Sequence, residues 1–296
     1  MNVHTMEIQL IQLYLLVCHI YDTHSATCFQ RLSNNSKPDF TDQEVVTIYL
    51  FGHLQGLFEK QAMHKLIANY WRRFFPRLPA YQTFSARLNQ LEQSFQTIGG
   101  YFQELLEPQR APEIDHLIDS LPVMLAKGGH AYVARVARDV ADVGYGASKK
   151  TYFHGLRLQT IAQRRFATIP LPTHMWLREG SVHDLRSVRE QAVCLPNSSL
   201  IGDQAFLDST FQAHLEHQQT KLYTPLKKPN GTELTPSQKY YNRLVSRLRQ
   251  PIESLFNWLI DKTDIQRAGT VRSTEGLMIH CWGKLTFAFY LLVFNP

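Results

Sequence analysis

The pattern of hydrophobic residues changes near Pro112, and this change limits the folds open to the chain more than any other feature. Before it, residues 6 to about 105 show helical spacing only. After it come apolar runs of strand length in the order βββαβ(α)β, with helix returning at Thr235. This order predicts a mixed sheet with helices packed on it. We therefore expect an all-α domain over residues 1–108 and an α/β (α+β) domain over residues 109–296.

Composition excludes several classes of protein. Hydrophobic residues make up 44% and charged residues 19%, so the chain can build a core and is not intrinsically disordered. Lys and Arg number 31 against 25 Asp and Glu, a net charge of +6, which is compatible with a polyanionic partner. The four cysteines are scattered without a C-x-x-C pair, which favours a reducing cytoplasm.

Neither end of the sequence predicts a membrane or export segment. The N-terminus lacks a basic region with a small-residue cleavage site, and the run LTFAFYLLVF near the C-terminus is too short to span a bilayer. We expect a soluble cytoplasmic protein with no membrane partner.

The N-terminal helices include a candidate DNA-recognition element. Helices are predicted around residues 59–74 and 82–105. At the start of the second, Arg87 lies off the apolar face, which is formed by Tyr81, Phe84, Leu88 and Leu91. The pattern suits either the recognition helix of a helix-turn-helix or a core helix of an all-α domain. Arg87 is the candidate DNA contact here.

Three acids stand out by their surroundings. Asp119 lies inside the apolar run HLIDSLPVML, where an unpaired carboxylate would lose several kcal/mol of hydration. Asp203 ends the fourth strand-like run, and Glu253 lies on the apolar helix RQPIESLFNWL. Taken singly, each is an ordinary salt-bridge or capping residue, and Asp115 is the substitute if the first strand is misjudged. Taken together, converging carboxylates need cations among them, and hard oxygen ligands suit Mg²⁺ or Mn²⁺.

Four segments carry a family resemblance: GYGASKKTYFHGLRLQTIA, REGSVHDLRSV, IGDQAF and the R-x-x-x-E spacing of RQPIES. Together they resemble the DDE transposases of bacterial insertion sequences, closest to insertion-sequence family 982. The resemblance covers about residues 110–290. It implies a ribonuclease-H-like catalytic fold with a mixed sheet and flanking helices. It also implies that Asp119, Asp203 and Glu253 are both the catalytic and the metal-binding triad, which would hold two Mg²⁺ ions, for which Mn²⁺ would be able to substitute.

The chain departs from the family pattern at several positions. Gln204 follows the second Asp where such transposases often have lysine, and Ser246 stands where related families have tyrosine. The nearest lysine on the Glu helix, Lys262, is displaced. Pro251 should kink a helix that begins at Pro236, just before the third acid. These departures favour the alternative of a degraded catalytic site.

Basic residues near these motifs are the predicted DNA contacts. Lys149 and Lys150 follow the Gly-rich stretch 126–150, which we predict to be a ligand-contacting loop, and a solvated loop is the alternative. Arg243, Arg247 and Arg249 would line a DNA channel, or else form salt bridges on a helix surface.

One further motif has two interpretations. Ser181 and Asp184 are predicted to form a helix N-terminus, with His183 near the active site as the alternative.

The resemblance implies a nucleoid-associated DNA transposase that binds the terminal inverted repeats of its element and also target DNA. Metal-dependent phosphodiester hydrolysis would be followed by strand transfer, and synapsis of two ends implies a homodimer or larger assembly. The alternatives are a domesticated or inactive DNA-binding derivative, and a metal-dependent DNA nuclease without strand transfer.

Overall fold

The structure, a computed structural model, describes residues 3–24, 38–107, 115–147, 150–228 and 233–294. The chain divides into two compact units. Unit 1 comprises Met1–Glu107, Lys262–Ile265 and Val271–Pro296, and unit 2 comprises Pro108–Asp261 and Gln266–Thr270. The chain therefore leaves unit 1 for the sheet-containing unit and returns to it for the final helix.

Unit 1 is built from helices in the residues that the structure describes. In chain order they are α1 (Val3–Thr23), α2 (Asp42–Leu54), α3 (Lys60–Tyr70), α4 (Tyr81–Leu88), α5 (Glu92–Leu106) and the C-terminal helix (Thr274–Phe294).

A capping box and a buried ion pair fix the start of α2. The Glu44 amide donates to Thr41 Oγ1 at 3.2 Å, and the Glu44 carboxylate accepts from the Thr41 amide at 2.7 Å. Asp42, which follows Thr41, is 2% exposed. It accepts two hydrogen bonds from Arg87, at 2.7 and 2.6 Å, and one from the Tyr21 hydroxyl at 2.9 Å. This network joins α1, α2 and α4, because each helix supplies one partner.

The C-terminal helix is part of the core of unit 1. The Thr286 hydroxyl donates to the Phe95 carbonyl of α5 at 2.7 Å. Gly99 permits this approach, since a Cβ there would lie 3.0 Å from Thr286 Oγ1. The sequence analysis grouped residues 271–296 with the second domain, whereas the structure places them in unit 1. Apolar contact with α5, which sequence patterning does not reveal, is the reason.

One helix among the described residues, the C-terminal one, is long and apolar enough to cross a membrane. Of its most apolar stretch, 72% is buried inside the protein, and core helices of soluble proteins pass the same test. The sequence predicts no membrane-spanning segment here, because the run LTFAFYLLVF within this helix is by itself too short.

Unit 2 contains a six-stranded sheet and five helices among its described residues. The strands are β1 (Asp115–Lys127), β2 (Asp142–Gly146), β3 (Thr151–Gln163), β4 (Leu171–Glu179), β5 (Ser199–Ile201) and β6 (Lys221–Tyr223). The helices are α6 (His130–Val133), α7 (Asp184–Gln191), α8 (Ser209–His217), α9 (Pro236–Arg249) and α10 (Pro251–Thr263).

The long strand β3 organises the sheet. It pairs antiparallel with β1 along one edge. Its other edge is shared end to end by β2, which pairs with residues 151–155, and β4, which pairs with residues 156–163. On the far side of β1, strands β5 and β6 continue the sheet in parallel. The sheet is therefore mixed, as the sequence predicts, with β1 at its centre.

Helices α7 and α8 cover one face of this sheet. Ile118 of β1 and Ile161 of β3 form an apolar cluster with Val188 of α7 and Leu215 of α8. Successive residues of a strand point to opposite faces. Since Ile118 faces this core, the side chain of its neighbour Asp119 belongs to the opposite face.

Two predicted elements differ from those observed. Residues 126–150, predicted as a loop, contain α6 and β2. Strand β2 was missed because Gly144 lowers strand propensity, yet glycine is required there: a Cβ would lie 2.1 Å from the Gly180 carbonyl oxygen. The predicted helix over residues 82–105 is two helices in the structure. The sequence does not reveal the turn between them, because the apolar spacing continues unchanged across it.

Candidate active site

Asp119 of β1 and Asp203, two residues after the end of β5, occupy equivalent positions in the register of these two strands. In the parallel pairing of β1 with β5, Leu117 lies opposite Ile201. Asp119 and Asp203 each follow two residues later, so the period of two directs both side chains to one face. The local sequence supports this placement, because Gly202 has no room for a side chain: a Cβ there would lie 2.9 Å from Ile118 Cγ2.

Asp119 is held by two hydrogen bonds. Its Oδ1 accepts from the Ser120 amide at 2.8 Å, and its Oδ2 accepts from Arg249 Nη1 at 2.5 Å. Burial raises the pKa of Asp119 from 3.8 to about 6, although Arg249 and the Ser120 amide favour the charged form. The nearby charges of Asp203 and Asp184 raise that pKa further. The carboxylate thus has less positive charge around it than its burial requires.

Asp203 caps the short 3-10 turn Gln204–Phe206. Its Oδ1 accepts from the Ala205 amide at 2.8 Å. Burial raises its pKa above the usual range, and Asp184 adds to this, while the Ala205 amide, Arg249 and His183 act against it. The same cation, Arg249, therefore influences both carboxylates.

Glu253 reaches the site through Arg249. The long helix expected from Pro236 is interrupted: α9 ends at Arg249 and α10 begins at Pro251. Pro251 is the first residue of α10, a position where proline is tolerated, and the single intervening residue Gln250 keeps helical backbone angles (φ −47°, ψ −37°), so the helix is interrupted at one residue. Across this break Arg249 Nη2 donates to Glu253 Oε1 at 3.3 Å. The side chain of Glu253 is 58% exposed. Arg249 thus joins two of the three predicted acids.

A further acid, Asp184, lies close enough to raise the pKa of both Asp119 and Asp203. Helix α7 begins at Asp184 and its N-cap residue is His183, which makes no side-chain capping bond, so the predicted cap at Ser181 is not formed. The Asp184 side chain turns to the sheet instead, where its Oδ1 accepts from Gln159 Nε2 at 2.5 Å.

Arg157 connects this acid to Ser120 on the sheet face that α7 and α8 cover. Its Nη1 lies 3.9 Å from Asp184 Oδ1 and 3.4 Å from the hydroxyl of Ser120, the residue after Asp119. The sequence analysis assigned Asp184 to a helix terminus and overlooked Gln159 and Arg157. The polar residues inside the otherwise apolar strand GLRLQTIA were the available signal.

The donor atoms at this place suit a divalent cation in part. No group of three or more His, Cys, Asp or Glu side chains suited to a metal ion occurs in the described part of the chain. However, Asp119 and Asp203 offer hard oxygen atoms at a place where added positive charge would offset their burial. Thr160, paired directly with Asp119, has a fully buried hydroxyl without a hydrogen-bond partner. These residues fit a two-carboxylate magnesium site better than a preassembled triad.

The predicted DNA contacts differ in their surroundings. Lys150, Arg243 and Arg247 are exposed, the two arginines one turn apart on α9. Lys149 lies outside the described residues. Arg87 is 15% exposed and bound to Asp42 in unit 1, so its guanidinium has a structural partner.

Two other positions concern the predicted triad. Asp115, the substitute acid, is 45% exposed and forms an ion pair with Arg164 at 3.6 Å, so it behaves as a surface residue. Gln204, where the family often has lysine, is exposed at the start of the turn capped by Asp203.

Comparison with known proteins adds one finding. Residues 141–262 match the family model of the DDE superfamily endonucleases, a segment that includes Asp203 and Glu253 and begins after Asp119. No curated protein and no solved structure matches the chain. The match covers less than half of the chain and supports a DDE transposase-like family. The mixed sheet with flanking helices is consistent with the fold of DDE nucleases.

Proposed function

We propose that this chain is a metal-dependent DNA transposase of an insertion sequence, with a ribonuclease-H-like catalytic unit. The observation that carries the proposal is the placement of Asp203, two residues after the end of β5, beside Asp119 of the neighbouring strand β1. The strand order and directions, with β3 antiparallel to β1 and with β5 and β6 parallel to it, support the proposed fold. The similarity to DDE superfamily endonucleases supports a DNA substrate.

The reaction is hydrolysis followed by transfer. Water attacks a phosphorus atom at the end of the element, the bond from phosphorus to the 3′ oxygen breaks, and a free 3′-OH and a 5′-phosphate remain. That 3′-OH then attacks a phosphorus of target DNA, and the 3′ oxygen of the target leaves. The first step breaks a phosphodiester bond with water, and the second replaces one phosphodiester bond of the target with a new one. Neither step requires a covalent protein intermediate.

The side chains have separate tasks in this proposal. Asp119 and Asp203 would hold two Mg²⁺ or Mn²⁺ ions, with Glu253 contributing to one after release from Arg249. Bound divalent ions supply positive charge to the attacking and leaving oxygen atoms. Arg249 orients Asp119, and the buried Thr160 hydroxyl can donate a hydrogen bond beside it.

Duplex DNA would contact the exposed basic residues. We propose Lys150, Arg243, Arg247 and Lys149 as phosphate contacts, because phosphate charge dominates affinity for DNA. Recognition of the terminal inverted repeats is proposed for the helical residues 1–107, with Arg87 contributing through the helix that it anchors. Synapsis of two ends would require a homodimer or larger assembly, in the bacterial cytoplasm near the nucleoid.

Replacement of Asp203 tests the proposal. Asp203→Asn is nearly isosteric but removes the charge that would hold the cations. Cleavage of end DNA in Mg²⁺ should therefore fall at least ~100-fold. This fall corresponds to losing twice ~1.4 kcal/mol of transition-state stabilisation, since each such loss is tenfold in rate. Retardation of the same DNA should persist. The matched control is Asp115→Asn, which alters a surface acid paired with Arg164.

Three outcomes are informative. Equal cleavage by wild type and Asp203→Asn would refute the metal role of Asp203. Binding without cleavage by wild type would favour an inactive, domesticated derivative, for which Gln204 and Ser246 are the sequence grounds. Cleavage without joining to target DNA would favour a nuclease.

A further inference from the structure

Three tyrosines form an exposed aromatic cluster at one end of the sheet. Tyr132 of α6, Tyr145 of β2 and Tyr152 of β3 are 58%, 44% and 48% exposed. The ring centroids of Tyr132 and Tyr152 are 5.6 Å apart, and those of Tyr145 and Tyr152 are 5.1 Å apart. Exposed rings in mutual contact form one contiguous apolar patch, whereas most exposed apolar side chains are scattered singly. We call these three residues the tyrosine cluster.

The backbone beneath the tyrosine cluster is fixed by hydrogen bonds. The Tyr152 carbonyl accepts from the Gly128 amide at 2.8 Å, and the Tyr145 carbonyl accepts from Arg157 Nη2 at 2.8 Å. Tyr145 and Tyr152 are also directly paired across β2 and β3. The rings are therefore held on a rigid support, which lowers the entropy cost of binding a ligand.

The charge around the cluster is positive. His130 and Lys150 are exposed, and each lies two residues along the chain from a tyrosine of the cluster, whereas Lys127 pairs with Phe153 and so faces the other side of the sheet. The segment 127–154 contains five Lys or Arg residues and two Asp residues. Of these acids, Asp142 is in β2, where its odd spacing from Tyr145 directs it to the opposite face. The ligand should therefore carry negative charge as well as flat apolar surfaces.

The cluster shares a face of the sheet with the carboxylates. Tyr152 and Thr160 are eight residues apart on β3, an even number, and Thr160 is paired with Asp119. At about 3.3 Å per residue the tyrosine cluster lies roughly 26 Å along the strand from Asp119. This distance corresponds to about eight base pairs of duplex DNA at 3.4 Å each.

We propose that the tyrosine cluster binds unpaired bases of a DNA strand by stacking, while the nearby Lys150 contacts its phosphates. Aromatic side chains in a basic groove are how proteins bind single-stranded nucleic acid without sequence preference. The proposal rests on the DNA-processing function proposed above. The strand would be one that separates from its partner near the cleaved end.

The area of the cluster argues against a second protein chain as the occupant. Tyrosine side chains bury about 150–250 Å² each, so three half-exposed rings offer on the order of 300 Å². A stable protein interface buries about 800 Å² per partner. Three rings suit two or three nucleotides far better than a subunit.

The experiment measures binding of the full chain to a 20-nucleotide oligothymidylate by fluorescence anisotropy. Tyr152→Ala should weaken binding roughly five- to a hundredfold, the range for loss of one stacked base. Tyr152→Phe keeps the ring and should bind within twofold of wild type. Phe166→Ala, which removes an exposed aromatic side chain on the loop between β3 and β4, is the matched control and should have no effect. Because stacking is not ionic, Tyr152→Ala should leave the salt dependence unchanged.

Other outcomes overturn the proposal. The first is an affinity of Tyr152→Ala for the oligonucleotide equal to that of wild type, and the second is an equal loss of affinity in Tyr152→Phe. The third is that wild type does not bind the oligonucleotide at all. The fourth is that Tyr152→Ala loses self-association, which would indicate a second protein chain as the occupant. If Tyr152→Ala does not fold by circular dichroism, Tyr132→Ala on α6 replaces it with the same expectations. Failure of stacking leaves the Asp203→Asn cleavage test unaffected, because that test uses duplex ends. Inactivity of the carboxylates likewise leaves the oligonucleotide titration readable.

Discussion

Arg249 Nη1 donates to Asp119 Oδ2 at 2.5 Å, although the two residues are 130 positions apart in the chain. The bond connects the central strand of the sheet to the end of α9. It supplies a partner for the carboxylate inside HLIDSLPVML. The same guanidinium contacts Glu253. Arg249 therefore neutralises part of the charge of two acids that a bound metal ion would otherwise neutralise.

Arg249→Gln should therefore make the protein less stable and more responsive to Mg²⁺. Removing the guanidinium leaves the partly buried Asp119 carboxylate, which is 23% exposed, without a cationic partner, at a cost of about 1–3 kcal/mol. Thermal melts should show a lower Tm and a larger rise in Tm on adding Mg²⁺ than in wild type. Arg247→Gln, an exposed arginine on the same helix, is the control. An equal Mg²⁺ response in all three proteins would contradict the role given to Arg249.

Asp184→Asn should impair cleavage without harming the fold. Asparagine can still accept the hydrogen bond from Gln159, but the negative charge beside Asp119 and Asp203 is lost. We expect cleavage to slow about tenfold or more, equivalent to ~1.4 kcal/mol, and the Mg²⁺ concentration for half-maximal rate to rise. The control is Asp208→Asn, which alters an acid that caps α8. If Asp184 is only a helix-terminal residue, both variants will change stability and neither will change the Mg²⁺ requirement.

The sequence allowed five of the six strands of unit 2 to be predicted, because burial in a sheet leaves short apolar runs, and it placed Asp119 within one strand and Asp203 after another. Strand β1 covers the run around Asp119 and β5 precedes Asp203. The ion pairs could not be predicted. Arg249 was interpreted as a phosphate contact, since no spacing rule connects it with an acid 130 residues away. Asp184 was likewise assigned to its helix, because its partner Gln159 lies on another element.

Arg87→Met should destabilise unit 1. It leaves Asp42 buried with the Tyr21 hydroxyl but without its cation, and breaking a buried pair costs about 3–5 kcal/mol. Asp42→Asn combined with Arg87→Met should cost less than the sum of the single changes. Urea unfolding of the four proteins measures this coupling. Strict additivity, with loss of DNA binding in a fully folded Arg87→Met protein, would favour direct DNA contact by Arg87.

Acid should destabilise unit 1 through His280. Burial, followed by the charge of Lys284, lowers the pKa of His280 from 6.5 to about 3, although its bond to the Ile265 carbonyl opposes this. The folded state thus binds fewer protons than the unfolded state between these values, and stability is lost as pH falls from 6.5 towards 3. The slope should approach about 1.4 kcal/mol per pH unit.

His280→Asn should flatten this slope, because asparagine does not bind a proton in this pH range. Asparagine can still donate to the Ile265 carbonyl, so the local structure should be kept. The pKa of His53 is also lowered by burial, so part of the slope should remain. Urea unfolding between pH 4 and 7 measures the effect, with the exposed His217→Asn as control. An unchanged slope in His280→Asn would show that other groups dominate acid unfolding.

The return of the C-terminal helix to unit 1 imposes an order on synthesis. Phe95 of α5 emerges from the ribosome long before Thr286, its partner in the core. At about 5–20 residues per second, α5 waits roughly ten seconds or more for that partner. The sheet of unit 2 has all its strands available during this interval, whereas unit 1 is incomplete. A nascent chain therefore possesses its proposed catalytic carboxylates before its proposed DNA-end recognition unit, and only a finished chain combines the two.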